Sequence, residues 1–300
     1  MTNDEAEMLL FDRVTKIQSV MRQHGEENFH LSFSGGKDST VLHYLVDEAL
    51  PNNKIPRVFV DTGIEMKAIV EFVQSLAKDD DRIKIIRPKV PIKKMLETEG
   101  YPFKSKMHAM CVDRFRKKGM QQNVKNYYEG NNISETFNCP KMLRYQFEQE
   151  MPFKISDVCC DRLKKDPIKA FEKENGIPYT IVGLRREEGG RRSFTKCMVW
   201  EGKKMHFHPL SVVSEEWIDW YIQKRGIKLC KLYYPPYNFT RTGCKGCPFA
   251  LNLQQNLDVL QAYFPKEREQ CEIIWKPVYE EYRRLGYRLE KEEQLKILDI

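Results

Sequence analysis

No run of apolar residues in this chain approaches the roughly 18 that a membrane-spanning helix requires. The opening MTNDEAEM is acidic and has no apolar stretch, which argues against a secretory or transit leader and predicts a cytoplasmic protein without membrane contact. Cysteine is scarce too. Nine in 300 residues is too sparse for a disulfide scaffold, and an odd number in such a chain points to reduced thiols whose chemistry, if any, is ligation or catalysis. The Walker spacing G-x-x-x-x-G-K-S/T is absent, as is G-x-G-x-x-G. Charge of one sign does not dominate. The net charge of +7 favours polyanionic partners, nucleotides or nucleic acid, without deciding between them. With 41% hydrophobic and 31% charged residues, the chain is globular rather than disordered.

What is present centres on Leu31 to Thr40, LSFSGGKDST. An apolar strand from Phe29 to Phe33 runs into Gly35-Gly36, and Lys37-Asp38-Ser39-Thr40 opens a helix. Glycines let backbone amides approach an anion, and the first helical turn offers unpaired N–H groups at the positive end of its dipole. Ser34, Ser39 and Thr40 add hydroxyls and Lys37 a point charge, a set suited to pyrophosphate rather than one carboxylate. The plainer alternative is a tight turn with Asp38, Ser39 or Thr40 as a helix cap.

Hydrophobic periodicity supplies the frame. Leu10, Val14, Ile17 and Met21 recur at helical spacing from Asp4 to about Arg22, and His24-Gly25 ends that helix. A buried strand at Val58–Val60, a helix from about Glu65 to Ala77 and a strand at Ile83–Ile86 follow. Strand and helix alternating through short connections predict an α/β fold with a doubly wound parallel sheet. Ligands in such sheets bind beyond the strand carboxyl ends. The glycine loop and Asp61 both stand at such ends, Asp61 as a nucleotide or Mg²⁺ contact or as the cap of the next helix.

From about 101 to 152 the rhythm breaks into a helical insertion in which Lys104, Lys106, Arg114, Arg116, Lys117 and Lys118 are interleaved with Tyr127 and Tyr128. Such a stretch suits a nucleic-acid surface, or equally a helical lid. The α/β pattern resumes over 153–250, with a helix from about Lys165 to Glu174 and a strand from Tyr179 to Leu184. That strand leads into four arginines, Arg185, Arg186, Arg191 and Arg192, placed to close over phosphates. His206 and His208 have no third partner nearby, so a structural or substrate contact is the better reading than a metal site. A helical region occupies 251–300, with a start at Pro265, a kink at Pro277 and an end at Gly286.

Cys244 and Cys247 form a C-x-x-C, and the adjacent Cys159-Cys160 precede it with 83 residues between the groups. A zinc ribbon needs a second C-x-x-C or a His pair, and the chain has none. Four thiolates in two close groups suit an iron-sulfur cluster, with zinc as the lesser possibility. Cys111, Cys139, Cys197, Cys230 and Cys271 read as ordinary thiols.

SGGKDS resembles the phosphate loop of the PP-loop ATP pyrophosphatases, which cleave ATP between its α and β phosphates. The order SGGKDS, VDTG, CC, VGLRREE, HPL, GCxxC further resembles the phosphoadenosine phosphosulfate (PAPS) reductase family over roughly 29–88 and 153–250. Within it, CC followed by CxxC is similar to the 4Fe-4S motif of adenylyl-sulfate reductases. That likeness implies a cluster on Cys159, Cys160, Cys244 and Cys247, and ATP with Mg²⁺ at Ser34, Gly35, Gly36, Lys37, Asp38, Ser39, Thr40 and Asp61. Lys37, Asp38, Ser39, Arg185 and Arg186 would be the catalytic residues. Two departures shift the expected reaction. Reductases of this family carry a terminal nucleophilic cysteine where this chain ends LEKEEQLKILDI, and their phosphate loop is degenerate where this one is intact. The pattern is closest to the sulfur-insertion proteins of DNA phosphorothioation. That implies an adenylating sulfur transferase served by a cysteine desulfurase or another sulfur donor. The alternatives are a reductase acting on an adenylyl-sulfate-type nucleotide, and a non-enzymatic nucleotide- or nucleic-acid-binding module with a structural metal.

Overall fold

A computed structural model describes residues 1–131 and 138–291, with residues 190 and 191 described by backbone alone. In chain order the helices are α1 (Asn3–His24), α2 (Lys37–Ala49), α3 (Lys67–Asp79), α4 (Ile92–Glu99), α5 (Lys106–Lys118), α6 (Gln122–Glu129), α7 (Tyr145–Glu148), α8 (Asp166–Asn175), α9 (Glu215–Arg225), α10 (Leu253–Tyr263) and α11 (Pro265–Leu285). The strands are β1 (Phe29–Ser32), β2 (Arg57–Val60), β3 (Ile83–Ile86), β4 (Tyr179–Val182), β5 (Met198–Glu201) and β6 (Lys204–Phe207). No described helix is long and apolar enough to cross a membrane.

The chain forms two compact units, each drawn from three separate stretches. The first comprises Met1–Asp61, Glu65–Pro88 and Asp166–Thr242 and holds the whole sheet. Its strand order is β3-β2-β1-β4-β6-β5, parallel except for the edge strand β5. The fold is therefore the mixed α/β class with a doubly wound, mostly parallel sheet. β1 lies at its centre, with Leu31 opposite Arg57 on one side and Ile181 on the other. Strands buried on both faces read as continuous apolar runs, and every residue of β2 is buried. Arg57 belongs to that run because Asp47 (2.6 Å) and Asn53 (2.7 Å) meet its guanidinium. α1 turns Ala6, Leu10, Ile17, Val20 and Met21 inward and is closed at its start by a reciprocal Thr2–Glu5 capping box.

The second unit comprises Thr62–Ile64, Lys89–Lys165 and Gly243–Ile300. It is helical, and it groups the insertion with the C-terminal helices and all four motif cysteines. Domain bounds read along the sequence, 1–100, 101–152, 153–250 and 251–300, thus differ from the spatial partition. The 153–250 stretch divides between the units, its strands in the first and its four motif cysteines in the second.

The insertion encloses some of its aromatics. Phe103 and Tyr127 are buried, His108 bridges Tyr127 (2.9 Å) and Gln146 (2.7 Å), and Arg144 lies over the Tyr128 ring at 5.3 Å. Residues 132–137 of this basic stretch lie outside the described residues. The expected kink does not divide α11, which runs through Pro277 as one helix to Gly286.

Candidate functional site

The parallel sheet directs the carboxyl ends of β1 and β4 to the same edge, and in the first unit a cavity of about 610 Å³ opens there. Ser34, Gly36, Lys37, Asp38 and Ser39 line it from the glycine loop. Arg185, Glu187 and Glu188 line it from the turn after β4, with Tyr233 and Thr242 opposite. α2 begins at Lys37 behind Gly36, which has no side chain to cap it, and the first amide, Lys37 N–H, donates to Tyr233 OH at 3.0 Å. The positive end of its dipole stands at the cavity wall.

The loop is held by its own hydroxyls. Ser39 Oγ donates to the Gly36 carbonyl (3.0 Å) and meets Ser34 Oγ (2.9 Å). Thr40 Oγ1 also donates to the Gly36 carbonyl (2.9 Å), which turns it into the loop and away from the cavity lining. Gly183, the residue after β4, lies against the same turn. A Cβ built on it would stand 3.1 Å from the Asp38 carbonyl oxygen and 3.3 Å from Ser39 N, so a side chain there would push strand end and helix start apart by a few tenths of an ångström.

Charges converge on two cations. Lys37 Nζ contacts Glu215 and lies 3.3 Å from Asp219, both on α9. Arg185 contacts Glu187 (2.8 Å), Glu215 and Asp38 (3.3 Å), with only 7% of its side chain exposed. In this lining the buried Asp38 Oδ1 makes no hydrogen bond among the described residues, while Asp38 Oδ2 lies 3.3 Å from Arg185 Nε. A carboxylate oxygen left open on the cavity fits a ligand that brings a cation. Burial raises the Asp38 carboxyl above its ordinary value, and the Arg185 charge opposes that shift.

Four residues of the expected set stand apart from this lining. Gly35, at φ 68°, packs its backbone against Ile69 and Val73. Arg186 donates to the Thr195 carbonyl at 2.7 Å. Asp61 pairs with Arg87 at 3.0 Å, and α3 starts behind Met66 rather than behind Asp61. Thr40 is the fourth. The Arg191 side chain lies outside the described residues, whereas Arg192 lines the cavity and contacts Glu188. Sequence reasoning missed Tyr233, Thr242 and Glu215, which lie 178 or more positions beyond Lys37 with no motif to mark them.

The second unit carries the cysteines. Cys159 Sγ and Cys160 Sγ are 4.0 Å apart, ahead of a π-helical turn at Asp161–Lys165. Irregular turns of this kind recur at functional sites. The Cys159 thiol is raised by its hydrogen bond with Cys160, then by burial and by the charges of Cys160, Cys247 and Cys244, so the four sulfurs feel one another. Cys160 is lowered, first by its bond with Cys159 and then by Lys106 and Lys164, while burial pushes Cys247 up to about 12. Gly246 gives the C-x-x-C loop its φ of 60°, where any Cβ would collide with Cys271 Sγ at 2.7 Å. α11 holds the loop carbonyls through Trp275 Nε1 to Lys245 (3.1 Å), Tyr279 OH to Gly246 and Tyr282 OH to Pro248 (2.9 Å).

A third group deserves separation from these. His43, Asp47 and Asp80 gather donor atoms within 4.8 Å, the one such trio found among the described residues. Arg82 and Arg57 already occupy the carboxylates, at 2.6 to 2.8 Å, so the trio is a charge network under the sheet.

Comparison with known proteins follows the same lines. An uncharacterized protein of Methanocaldococcus jannaschii is 25% identical over 260 residues, which cover 81% of this chain and 49% of that protein. The chain thus spans about half the length of that relative. Among solved structures, the phosphoadenylyl-sulfate reductase of Candida auris in its phosphate complex is 14% identical, with a TM-score of 0.42 over 77% of this chain and 91% of that one. The FMN adenylyltransferase of Candida glabrata in complex with ATP is 13% identical, with a TM-score of 0.47 over 81% and 64%. The NH3-dependent NAD synthetase of Campylobacter jejuni is 14% identical, with a TM-score of 0.42 over 92% and 94%. The profile of the phosphoadenosine phosphosulfate reductase domain matches residues 28–250, about three quarters of the length. A match of that extent decides the relationship, and the chain belongs to the phosphoadenosine phosphosulfate reductase domain family.

Proposed function

We propose that this protein is an ATP α–β pyrophosphatase that adenylates an acceptor oxygen so that sulfur can replace it. The observation that carries this reading is the cavity at the start of α2, where Lys37, Ser39 and Arg185 surround open space and the buried Asp38 Oδ1 makes no hydrogen bond among the described residues. An oxygen of the acceptor attacks the α-phosphorus, the bond from that phosphorus to the bridging oxygen breaks, and its electron pair leaves with pyrophosphate. A sulfur nucleophile then displaces AMP from the adenylated acceptor. The α2 N-terminus and Lys37 hold the departing pyrophosphate, Arg185 holds the α-phosphate, and Ser39 fixes the loop, so the chemistry is positioning and electrostatics. Magnesium suits the hard oxygen of Asp38 and supplies charge to the polyphosphate when bound.

The cysteines fit a 4Fe-4S cluster held by Cys159, Cys160, Cys244 and Cys247. Four soft sulfur ligands suit iron-sulfur or zinc, and the adjacent Cys159-Cys160 pair ahead of a C-x-x-C is what favours the cluster. Such a cluster supplies redox-active iron beside soft sulfur. Anaerobically purified protein is then brown with absorption near ~400 nm, and Cys159→Ser bleaches it. Stoichiometric zinc in colourless protein would refute the cluster.

The central test is pyrophosphate release from ATP, with loss of at least about 100-fold in Asp38→Ala and Ser39→Ala. No release by anaerobic, cluster-loaded wild-type protein would sink the reading. The family match favours one second reading, reduction of a sulfonucleotide by an external thiol. Sulfite formation from adenylyl sulfate with thioredoxin would establish that reading instead. A cysteine desulfurase as sulfur donor and a nucleic acid as acceptor belong to the first reading, and salt-sensitive nucleic-acid binding tests the second of these.

A further inference from the structure

The phosphate loop is met by two hydroxyls that lie outside its motif. Tyr233 OH accepts from the Lys37 backbone N–H at 3.0 Å and contacts Thr242 Oγ1 at 2.8 Å. Both residues line the cavity beside Ser34, Gly36 and Ser39. A Cβ on Gly36 would lie 3.3 Å from Tyr233 OH and 3.2 Å from Thr242 Oγ1, so the missing side chain is what lets the hydroxyls reach the helix start.

The direction of these bonds matters. Tyr233 oxygen receives the Lys37 N–H, so its own proton points elsewhere, to Thr242 or to a ligand. Thr242 Oγ1 carries a second proton and rotates freely to match. Burial raises the Tyr233 phenol above its ordinary value, so it remains a donor at neutral pH. In the same cavity the nearly buried guanidinium of Arg185, paired with Asp38, Glu187 and Glu215, stands as a second cation beside Lys37.

We infer that Tyr233 and Thr242 form a hydroxyl pair that binds the pyrophosphate end of the nucleotide. It exchanges its mutual hydrogen bond for bonds to phosphate oxygens, while the Lys37 amide is released to the same anion. This assignment rests on the ATP reading above. It adds two neutral donors to Lys37 and Arg185, and donors to an anionic oxygen are the stronger kind of hydrogen bond.

Calorimetric binding of ATP, of inorganic pyrophosphate and of adenosine, measured on the full chain, tests it. Tyr233→Phe weakens ATP and pyrophosphate about tenfold and Thr242→Val about fivefold, as expected for hydrogen bonds to a charged group. Thr242→Ser restores the affinity, and adenosine binding stays unchanged in every variant. The double variant Tyr233→Phe/Thr242→Val loses less than the product of the single losses, because the two hydroxyls act as one unit. Thermal unfolding reports whether Tyr233→Phe stays folded, and the Thr242 series carries the test if it does not. Wild-type protein that binds ATP alongside variants within twofold of it overturns the hydroxyl pair and spares the ATP reading. Equal losses for adenosine and pyrophosphate reduce the pair to a packing role. Wild-type protein that binds neither ATP nor pyrophosphate removes the ATP reading, and this assignment with it.

Discussion

At Gly183 a single hydrogen atom in place of a side chain sets how closely β4 approaches the start of α2. Gly183→Ala would bring a methyl to 3.1 Å from the Asp38 carbonyl oxygen, and backbone on both sides has little room to yield. The expected result is a shift of the loop by a few tenths of an ångström and an affinity for ATP lower by about tenfold. Calorimetry would read it, against an unfolding midpoint close to that of wild type. His43 and His108 act at the same scale on stability. Burial, with Arg57 adding to it at His43, pushes His43 from 6.5 to about 4. Burial likewise pushes His108 to about 4, against the pull of its Gln146 bond. Both imidazoles are neutral in the native state, so on acidification the unfolded chain takes up protons first. Stability is complete above pH 6.5 and falls as the pH drops toward about 4, by on the order of 1–2 kcal/mol per histidine at pH 5. Urea unfolding at pH 7 and pH 5 checks the sign, and His108→Gln should narrow the difference. A protein equally stable at both values would contradict it.

Among the elements, α11 has the clearest task. Trp275, Tyr279 and Tyr282 share one face at steps of four and three, and they reach carbonyls of the loop that carries Cys244 and Cys247. Arg288 adds a bond to the Pro248 carbonyl at 2.7 Å. Removing two of these donors in Trp275→Phe/Tyr279→Phe should cost about 2 kcal/mol, at about 1 kcal/mol for each hydrogen bond. The absorbance near ~400 nm should also decay faster in air. A decay rate equal to that of wild type would show that the loop keeps its shape unaided. None of this was legible in the sequence, where α11 reads only as part of a helical region. Its aromatic spacing is that of any buried face, and hydrogen-bond partners about thirty positions away leave no local mark. The parallel strands were legible because burial on both faces gives β1, β2 and β4 dense apolar runs. β5 was not. Its Met198 and Val199 are half-buried and its Trp200 and Glu201 are exposed. An edge strand of that kind has no hidden face to impose a period.

Over the whole molecule, the loop LSFSGGKDST and the arginine after β4 were legible as one site because parallel α/β sheets collect their loops at the strand carboxyl ends. The carboxylates opposing them, Glu215 above all, were not, since a charged residue at a helix start reads first as a partner for the helix dipole. Grouping the insertion with the C-terminal helices was equally hidden, because the first unit takes residues from 1 to 242 and the second from 62 to 300. The central pairing in the sheet has a further consequence for synthesis. Phe29 pairs with Tyr179, so β1 leaves the ribosome 150 residues ahead of its inner neighbour. At roughly 5–20 residues per second this is a wait of roughly 8–30 seconds. During that interval β3, β2 and β1 can form a half-sheet whose open edge is β1, and an open strand edge is a template for wrong pairing. The strand that organises the finished site is therefore an edge that the nascent chain leaves open for 150 residues.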